Sequence, residues 1–529
     1  MTAISLSSFS PPSHGKKALL EQKICFKRII YTYDLLDRVT SMTSPAGTTK
    51  YHYDTTTGRL DKITSPEGKE FTYSYDHGQL KEMQFPNGIT AHYAFDDNGN
   101  LTNLHYQRND GSTVQRFQYS YDKNNMRTSM TDLDGTHNYA YDSLYQVIQA
   151  THPTAPNPLE QFSYDAAGNR LSDDVKSAYQ YNELNQLTED DSCTYAYDAD
   201  GNMTAKIDKQ TGDSMVYTWN IENRLMQVRK PEMLAEYTYD ALGRRMNKEV
   251  NGVVTQYRYD GEDLILEMNE NDSVTASYTF GPGIDNALMM NRQGANYYYV
   301  KDRLGSVIAV TDSTANTIKS YQYSTFGKIV RETGLGILNS FTYTSREYDP
   351  ETGNYYYRAR YFNPNIGRFL SCDPLQFASD DNNFYRYVSN SPFTYIDPLG
   401  LSACMAGCMT GVAARILASE LTWGASDLLL GDAGAGTMAD FGEGISETEY
   451  KLIGGASAIE KYKEAIYKQL TELDSYKPSL VFSGKPSNLF KWARVARVVK
   501  GVSFIFDAID FIKGIDSCSK KCETIECNK

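Results

Sequence analysis

Tyr119-Ser-Tyr-Asp122, Tyr139-Ala-Tyr-Asp142, Tyr195-Ala-Tyr-Asp198 and Tyr237-Thr-Tyr-Asp240 are copies of one phrase: aromatic, any residue, aromatic, Asp. Twelve copies, with Phe, Trp or Asn as the variants, run from Tyr31 to Asp260 at a spacing of about twenty residues. Fixed-period self-similarity means one structural unit stacked many times. Alternation at period two puts both aromatics of a phrase on one face of a β-strand. The Asp stands where the strand ends, and turn chemistry follows, as in Asp165-Ala-Ala-Gly-Asn169 and Asp240-Ala-Leu-Gly-Arg244. An Asp side chain caps its own turn, and Gly takes the left-handed position that other residues resist. Leu60, Leu101, Leu171 and Leu225 open the strands that return. Each unit therefore reads as a long β-hairpin. Offset aromatic pairs between neighbouring hairpins add about 0.5–1.5 kcal/mol each. These tyrosines are ladder residues and do no chemistry.

Composition divides the 529-residue chain in two. The net charge is −14, which argues against nucleic acid as a partner of the repeat region. Beyond Leu401, 15 Lys+Arg meet 16 Asp+Glu, so nearly all the negative charge precedes that residue. Only four of 42 tyrosines (Tyr450, Tyr462, Tyr467 and Tyr476) follow it. Residues 1–12 are Ser-rich and do not read as a signal peptide, and no stretch has the length and apolarity of a membrane span. Cys404, Cys408, Cys518, Cys522 and Cys527 are soft ligands without the spacing of a zinc ribbon or finger. No metal site or cofactor is expected. A disulfide in the tail is the preferred reading of those cysteines.

After Asp260 the pattern changes to Tyr297-Tyr-Tyr-Val-Lys-Asp-Arg-Leu-Gly-Ser306, Tyr348-Asp-Pro-Glu-Thr-Gly-Asn-Tyr-Tyr-Tyr-Arg-Ala-Arg-Tyr-Phe-Asn-Pro364, Gly367-Arg-Phe-Leu-Ser-Cys-Asp-Pro374 and Asn390-Ser-Pro-Phe-Thr-Tyr-Ile-Asp-Pro-Leu-Gly-Leu401. These phrases resemble the Rhs/YD-repeat family with its repeat-associated core, over about residues 28–401. The resemblance implies a mostly β chain: a spiralling antiparallel hairpin sheet, the YD shell, plugged by the core and followed by a small, mainly α, variable effector. It implies boundaries of 1–27 for an irregular leading segment, 28–295 for the shell, 296–401 for the core and 402–529 for the effector. It further implies that the core cuts its own chain after the Asp-Pro-Leu-Gly-Leu phrase, at Leu401–Ser402. The carboxylates matching that cut are Asp373 and Asp397, with Arg368 a candidate for orienting one of them. Asp373 is not followed by the paired glycines of many relatives. Asp380 or Asp381 therefore stays open as the second carboxylate. Two close carboxylates share a proton, so one can activate water while the other protonates the leaving group.

About thirteen hairpins would give a ribbon ~125 Å long. Enclosing a globule of the effector's size needs a wall of ~170 Å. A partial shell is expected, one that needs a partner shell protein or shields its cargo poorly. The resemblance also implies a specialised secretion route to the outside or the cell surface, and an immunity protein as a partner of the effector.

Residues 402–529 read as helical. Phe490 to Lys500 is basic and amphipathic and runs into an apolar stretch ending at Ile512, a pattern that suits an anionic membrane surface or the core of a small bundle. All seven histidines lie at or before His152, so chemistry that depends on His is excluded from the tail. Glu447-Thr-Glu449 with Arg415, and the carboxylates Asp432, Asp440 and Glu443, do not amount to a recognised catalytic constellation. The rival reading is an adhesive surface protein that uses the same aromatic sheet for contact.

Overall fold

The computed structural model describes residues 29–401, apart from 155, 156, 335 and 380, together with 404–405. Everything below concerns one compact unit, Met1–Gly281 with Asp285–Ala403. The expected leading segment and the helical tail lie outside the described residues. The exception is Cys404–Met405, which is extended rather than helical.

Three antiparallel sheets follow one another, with every strand paired to its neighbour in sequence. They have thirteen strands (Ile30 to Gln161), two (Ser163 to Ser172) and sixteen (Tyr179 to Gly334). A four-stranded sheet, Glu347 to Phe369, comes next. Motif character changes near residue 295, but backbone pairing continues unbroken to Gly334. Hairpin geometry outlasts the aromatic phrase because the ladder needs only alternating strands and turns.

The phrase works through three repeated contacts. Asp240 shows the first: its Oδ1 accepts the N–H of Leu242 and of Arg244, both at 2.9 Å, which closes the turn. The turn then needs one left-handed residue, which is Gly243 here (φ 86°) and Asn185 (φ 60°) in another copy. Second, the ladder slips by one residue just before the second aromatic, between Ala140 and Tyr141, Ala196 and Tyr197, and Thr238 and Tyr239. A bulge at the same place in each copy bends the ribbon in one direction. Third, the hydroxyl of that aromatic donates to a carbonyl of the preceding unit: Tyr75 to Leu60 (2.9 Å), Tyr141 to Arg127 (2.7 Å) and Tyr239 to Leu225 (2.6 Å). Trp219 makes the same bond to Met203 through Nε1 (2.7 Å). Each such bond is worth ~1 kcal/mol.

Neither large sheet closes on itself, as expected of a partial shell. The second sheet nevertheless returns to the first through side chains. Tyr106 Oη donates to Lys301 O (3.0 Å) and accepts Lys301 N–H (3.2 Å), and Asn87 Nδ2 donates to Asp312 O (2.9 Å). Ile63, Phe71 and Tyr106 share one core with Leu288, Tyr298 and Val300.

The four-stranded sheet fills the concave side. Tyr355, Tyr356 and Tyr357 are consecutive and all fully buried, so both faces of their strand are covered. Tyr356 packs with Tyr217, Tyr237 and Tyr361, while Tyr355 and Tyr357 pack with Tyr139, Phe362 and Tyr387. Arg245 ties this plug to the wall. It reaches Glu347 (2.9 Å) and Asp349 (2.5 Å) and lies against the rings of Tyr257 and Tyr356. Much of the wall's inner aromatic face is thus covered by the chain's own plug.

Candidate self-cleavage site

The plug hairpin Asn354–Tyr357 and Arg360–Asn363 turns through Arg358, which adopts φ 54°, and Ala359. Three consecutive residues of this turn hold three consecutive carbonyls of the terminal phrase. Arg358 Nη1 donates to Pro398 O, Ala359 N–H to Leu399 O (3.2 Å) and Arg360 Nε to Gly400 O. Gly400 is left-handed (φ 67°), and a Cβ there would sit 2.3 Å from Tyr357 O, so only glycine fits. The phrase Asp397-Pro-Leu-Gly-Leu401 is therefore docked along this turn.

The structure brings Asp373 and Asp397 together on one cation. Arg360 Nη2 lies 2.9 Å from Asp373 Oδ2 and 3.4 Å from Asp397 Oδ2. Its Nη1 donates to Phe384 O (3.0 Å), and the guanidinium lies 3.6 Å from the centre of the Phe369 ring, which keeps water from that side. Asp397 Oδ1 accepts the N–H of Leu401 at 3.0 Å. Asp373 Oδ1 accepts the N–H of Leu375 at 2.8 Å. Both carboxylates are buried. Burial pushes the Asp373 carboxyl up to about 6, against the opposing pull of the Arg360 charge. The arginine between the carboxylates replaces the bare, proton-sharing pair expected from the sequence.

Arg368 lies elsewhere. It donates to Asn169 Oδ1 (3.0 Å), Asn185 O (2.5 Å) and Asn383 Oδ1 (3.2 Å), and it lies against the rings of Tyr181 and Tyr385. It pins the end of the loop that begins at Asp373 to the wall. Asp381 is paired with Arg386 (2.8 Å) and Asp380 lies outside the described residues. Sequence reasoning passed over Arg358 and Arg360, reading them only as part of a family phrase. The available signal was two arginines one residue apart inside the aromatic run Tyr355 to Phe362, where burial would demand partners for their charge. Among the described residues no helix is long and apolar enough to cross a membrane, and no cluster of His, Cys, Asp and Glu could hold a metal ion.

A profile of the teneurin YD-shell family matches residues 14–131 and 117–393. The tRNA3(Ser)-specific nuclease WapA of Bacillus spizizenii is 30% identical over 375 residues, which span 67% of this chain and 16% of that protein. The double-stranded DNA deaminase toxin A of Burkholderia cenocepacia is 24% identical over 427 residues, 72% of this chain and 29% of the toxin. In fold, the chain resembles the TcdB2-TccC3 crystal structure without its hypervariable C-terminal region, with a TM-score of 0.59 at 21% identity over 75% of this chain and 22% of that one. The chain thus spans less than a third of the length of each. The repeated phrase, the hairpin wall, the plug and these matches together establish that the chain belongs to the teneurin YD-shell family.

Proposed function

We propose that the chain is the shell-and-core part of an Rhs-type polymorphic toxin whose core cuts Leu401–Ser402 and frees the segment that follows. The observation that supports this most strongly is the double hold on the terminal phrase. Arg360 binds Gly400 O and both carboxylates, and Asp397 binds Leu401 N–H. The residue before the proposed cut is thereby fixed beside an acid and a base, the positioning that peptide hydrolysis requires.

In this reading Asp397 takes a proton from the attacking water. Asp373, kept protonated near neutrality by burial, polarises the Leu401 carbonyl and then supplies the proton for the departing Ser402 amine. The C–N bond breaks, leaving a carboxylate on Leu401 and an amine on Ser402. Arg360 stabilises the oxyanion of the intermediate and orients both carboxylates. Arg368 positions the Asp373 loop through Asn383. The segment 402–529 is the carried effector, acting at an anionic membrane through its basic amphipathic stretch. An immunity protein would be its partner, a further shell or secretion-system protein a partner of the wall, and a specialised secretion route its path out.

Mass spectrometry of the purified full chain tests the cut. The wild type should yield a fragment ending at Leu401. Asp373→Asn, Asp397→Asn and Arg360→Gln should stay intact while keeping their β-sheet circular dichroism. An intact wild type would remove the self-cleavage reading and favour the adhesive surface protein. Leakage of anionic phosphatidylglycerol vesicles by the freed segment tests the membrane reading, and tight vesicles would end it.

A further inference from the structure

Lys301 ends the strand Ala295–Lys301, and Asn286 directly precedes its partner strand Ala287–Arg292. Lys301 is buried, and its Nζ lies 2.6 Å from Asn286 Oδ1. Among the described residues it makes no ion pair. This sets it apart from the other buried lysine facing the plug, Lys248, which meets Asp349 at 2.8 Å and Glu351 at 3.2 Å. The carboxylates around Lys301 are engaged with other groups. Asp285 is held by Arg346 and by both Nη atoms of Arg358 (3.1 and 2.7 Å). Asp302 Oδ1 accepts the N–H of Leu304 (2.9 Å) and of Ser306 (2.8 Å). Asp263 Oδ1 accepts the N–H of Asp285 (3.3 Å), the residue before Asn286, which places a buried carboxyl next to the amide.

From this geometry we propose that Lys301 and Asn286 become joined by an intramolecular isopeptide bond, with the Asp263 carboxyl relaying the proton. The lysine nitrogen attacks the Asn286 side-chain carbonyl carbon. A Nζ–Cγ bond forms, the Cγ–Nδ2 bond breaks and the amide nitrogen leaves as ammonia. One lysine proton passes through Asp263 to the leaving nitrogen, and no oxidant or other reactant is consumed.

The environment suits each step. An amine attacks only when neutral. Burial holds the Lys301 amine down to about 7, although Asp285, Asp263 and Asp302 pull it upward. Lys248, by contrast, is pushed above its usual value by Asp349 and Glu351, so it stays charged and unreactive. Burial, reinforced by Asp285 and Asp260 and opposed by Arg358, holds the Asp263 carboxyl well above the usual range, so it carries a proton to give. The contact persists because the two strands are paired along their length, from Met289 opposite Tyr298 to Arg292 opposite Ala295. That pairing keeps the two groups at hand for as long as a slow reaction needs. The bond would lock a hairpin that also meets the first sheet through Tyr106.

The test is intact mass and peptide mapping of the full chain, denatured after purification. The expected mass is lower than that of the sequence by one ammonia. Trypsin should cut after Arg292 yet leave residues 259–292 covalently joined to 293–303, with the cut after Lys301 blocked. Lys301→Arg should restore the full mass and separate the two peptides, and Asp263→Asn should slow the ammonia loss at least tenfold. Asn286→Asp keeps the size of the side chain and should instead lose one water. Ammonia loss with separable peptides would mean a succinimide at Asn286 and would overturn the proposal. An unaltered mass in a chain with intact β-sheet dichroism would overturn it equally. Both partners lie before Leu401, so the outcome does not depend on whether the core cuts itself.

Discussion

Asp373→Asn, made in an Asp397→Asn background to remove self-cleavage as a variable, measures what the buried carboxylate costs the fold. Asp373 rises from an ordinary value of 3.8 to about 6, first because of burial and despite Arg360. The folded chain therefore binds a proton more tightly than the unfolded chain. Between those two values the folded state is the better proton binder, so stability falls as pH rises, then levels off above about 7. The gap between the two values corresponds to about 3 kcal/mol at full ionisation, and the neutral side chain of Asp397→Asn makes this an upper figure. Asn carries no proton, so the stability of the double variant lacks this slope. At pH 4.5 any difference between the two proteins reports mainly the altered hydrogen bonds to Arg360 and Leu375. The change in that difference up to pH 8, about 2 kcal/mol, isolates the carboxylate. Urea unfolding followed by far-ultraviolet circular dichroism at pH 4.5, 6, 7 and 8 provides the curves. The midpoint of the single variant, which keeps Asp373, should fall relative to that of the double variant as pH rises. Parallel midpoints across that range would show that the carboxylate is ionised at little cost, and the acid role proposed for Asp373 would fall with it.

Gly400→Ala places a Cβ 2.3 Å from Tyr357 O in a left-handed position, a strain of about 1–3 kcal/mol that lifts Leu401 from Asp397. Cleavage should slow at least tenfold with unfolding midpoints little changed, read by gel densitometry over time. Arg245→Met leaves Glu347 buried without its cation and should cost about 3–5 kcal/mol, seen as early exposure of the plug to limited proteolysis. The companion change Arg245→Met with Glu347→Leu removes both charges and should recover much of the loss.

The repeated phrase alone determined the hairpin wall, because strand alternation and an Asp-closed turn are local events within about twenty residues of sequence. It also pointed to Asp373 and Asp397, through Asp-Pro phrases that mark the core. Local patterning could not show that hydroxyls such as that of Tyr239 bond back to the preceding unit, or that the ladder slips before each one. It did not show that the second sheet returns to Tyr106 and Asn87. Nor could it separate Arg368 from Arg360, since both are arginines among aromatics. Only the fold sends one into a nest of asparagines on the wall and the other between two carboxylates. The strands were legible because their hydrogen bonds join neighbours in sequence. The site was not, because Arg360, Asp373 and Asp397 meet across loops whose path is set by where the plug's tyrosines can be buried.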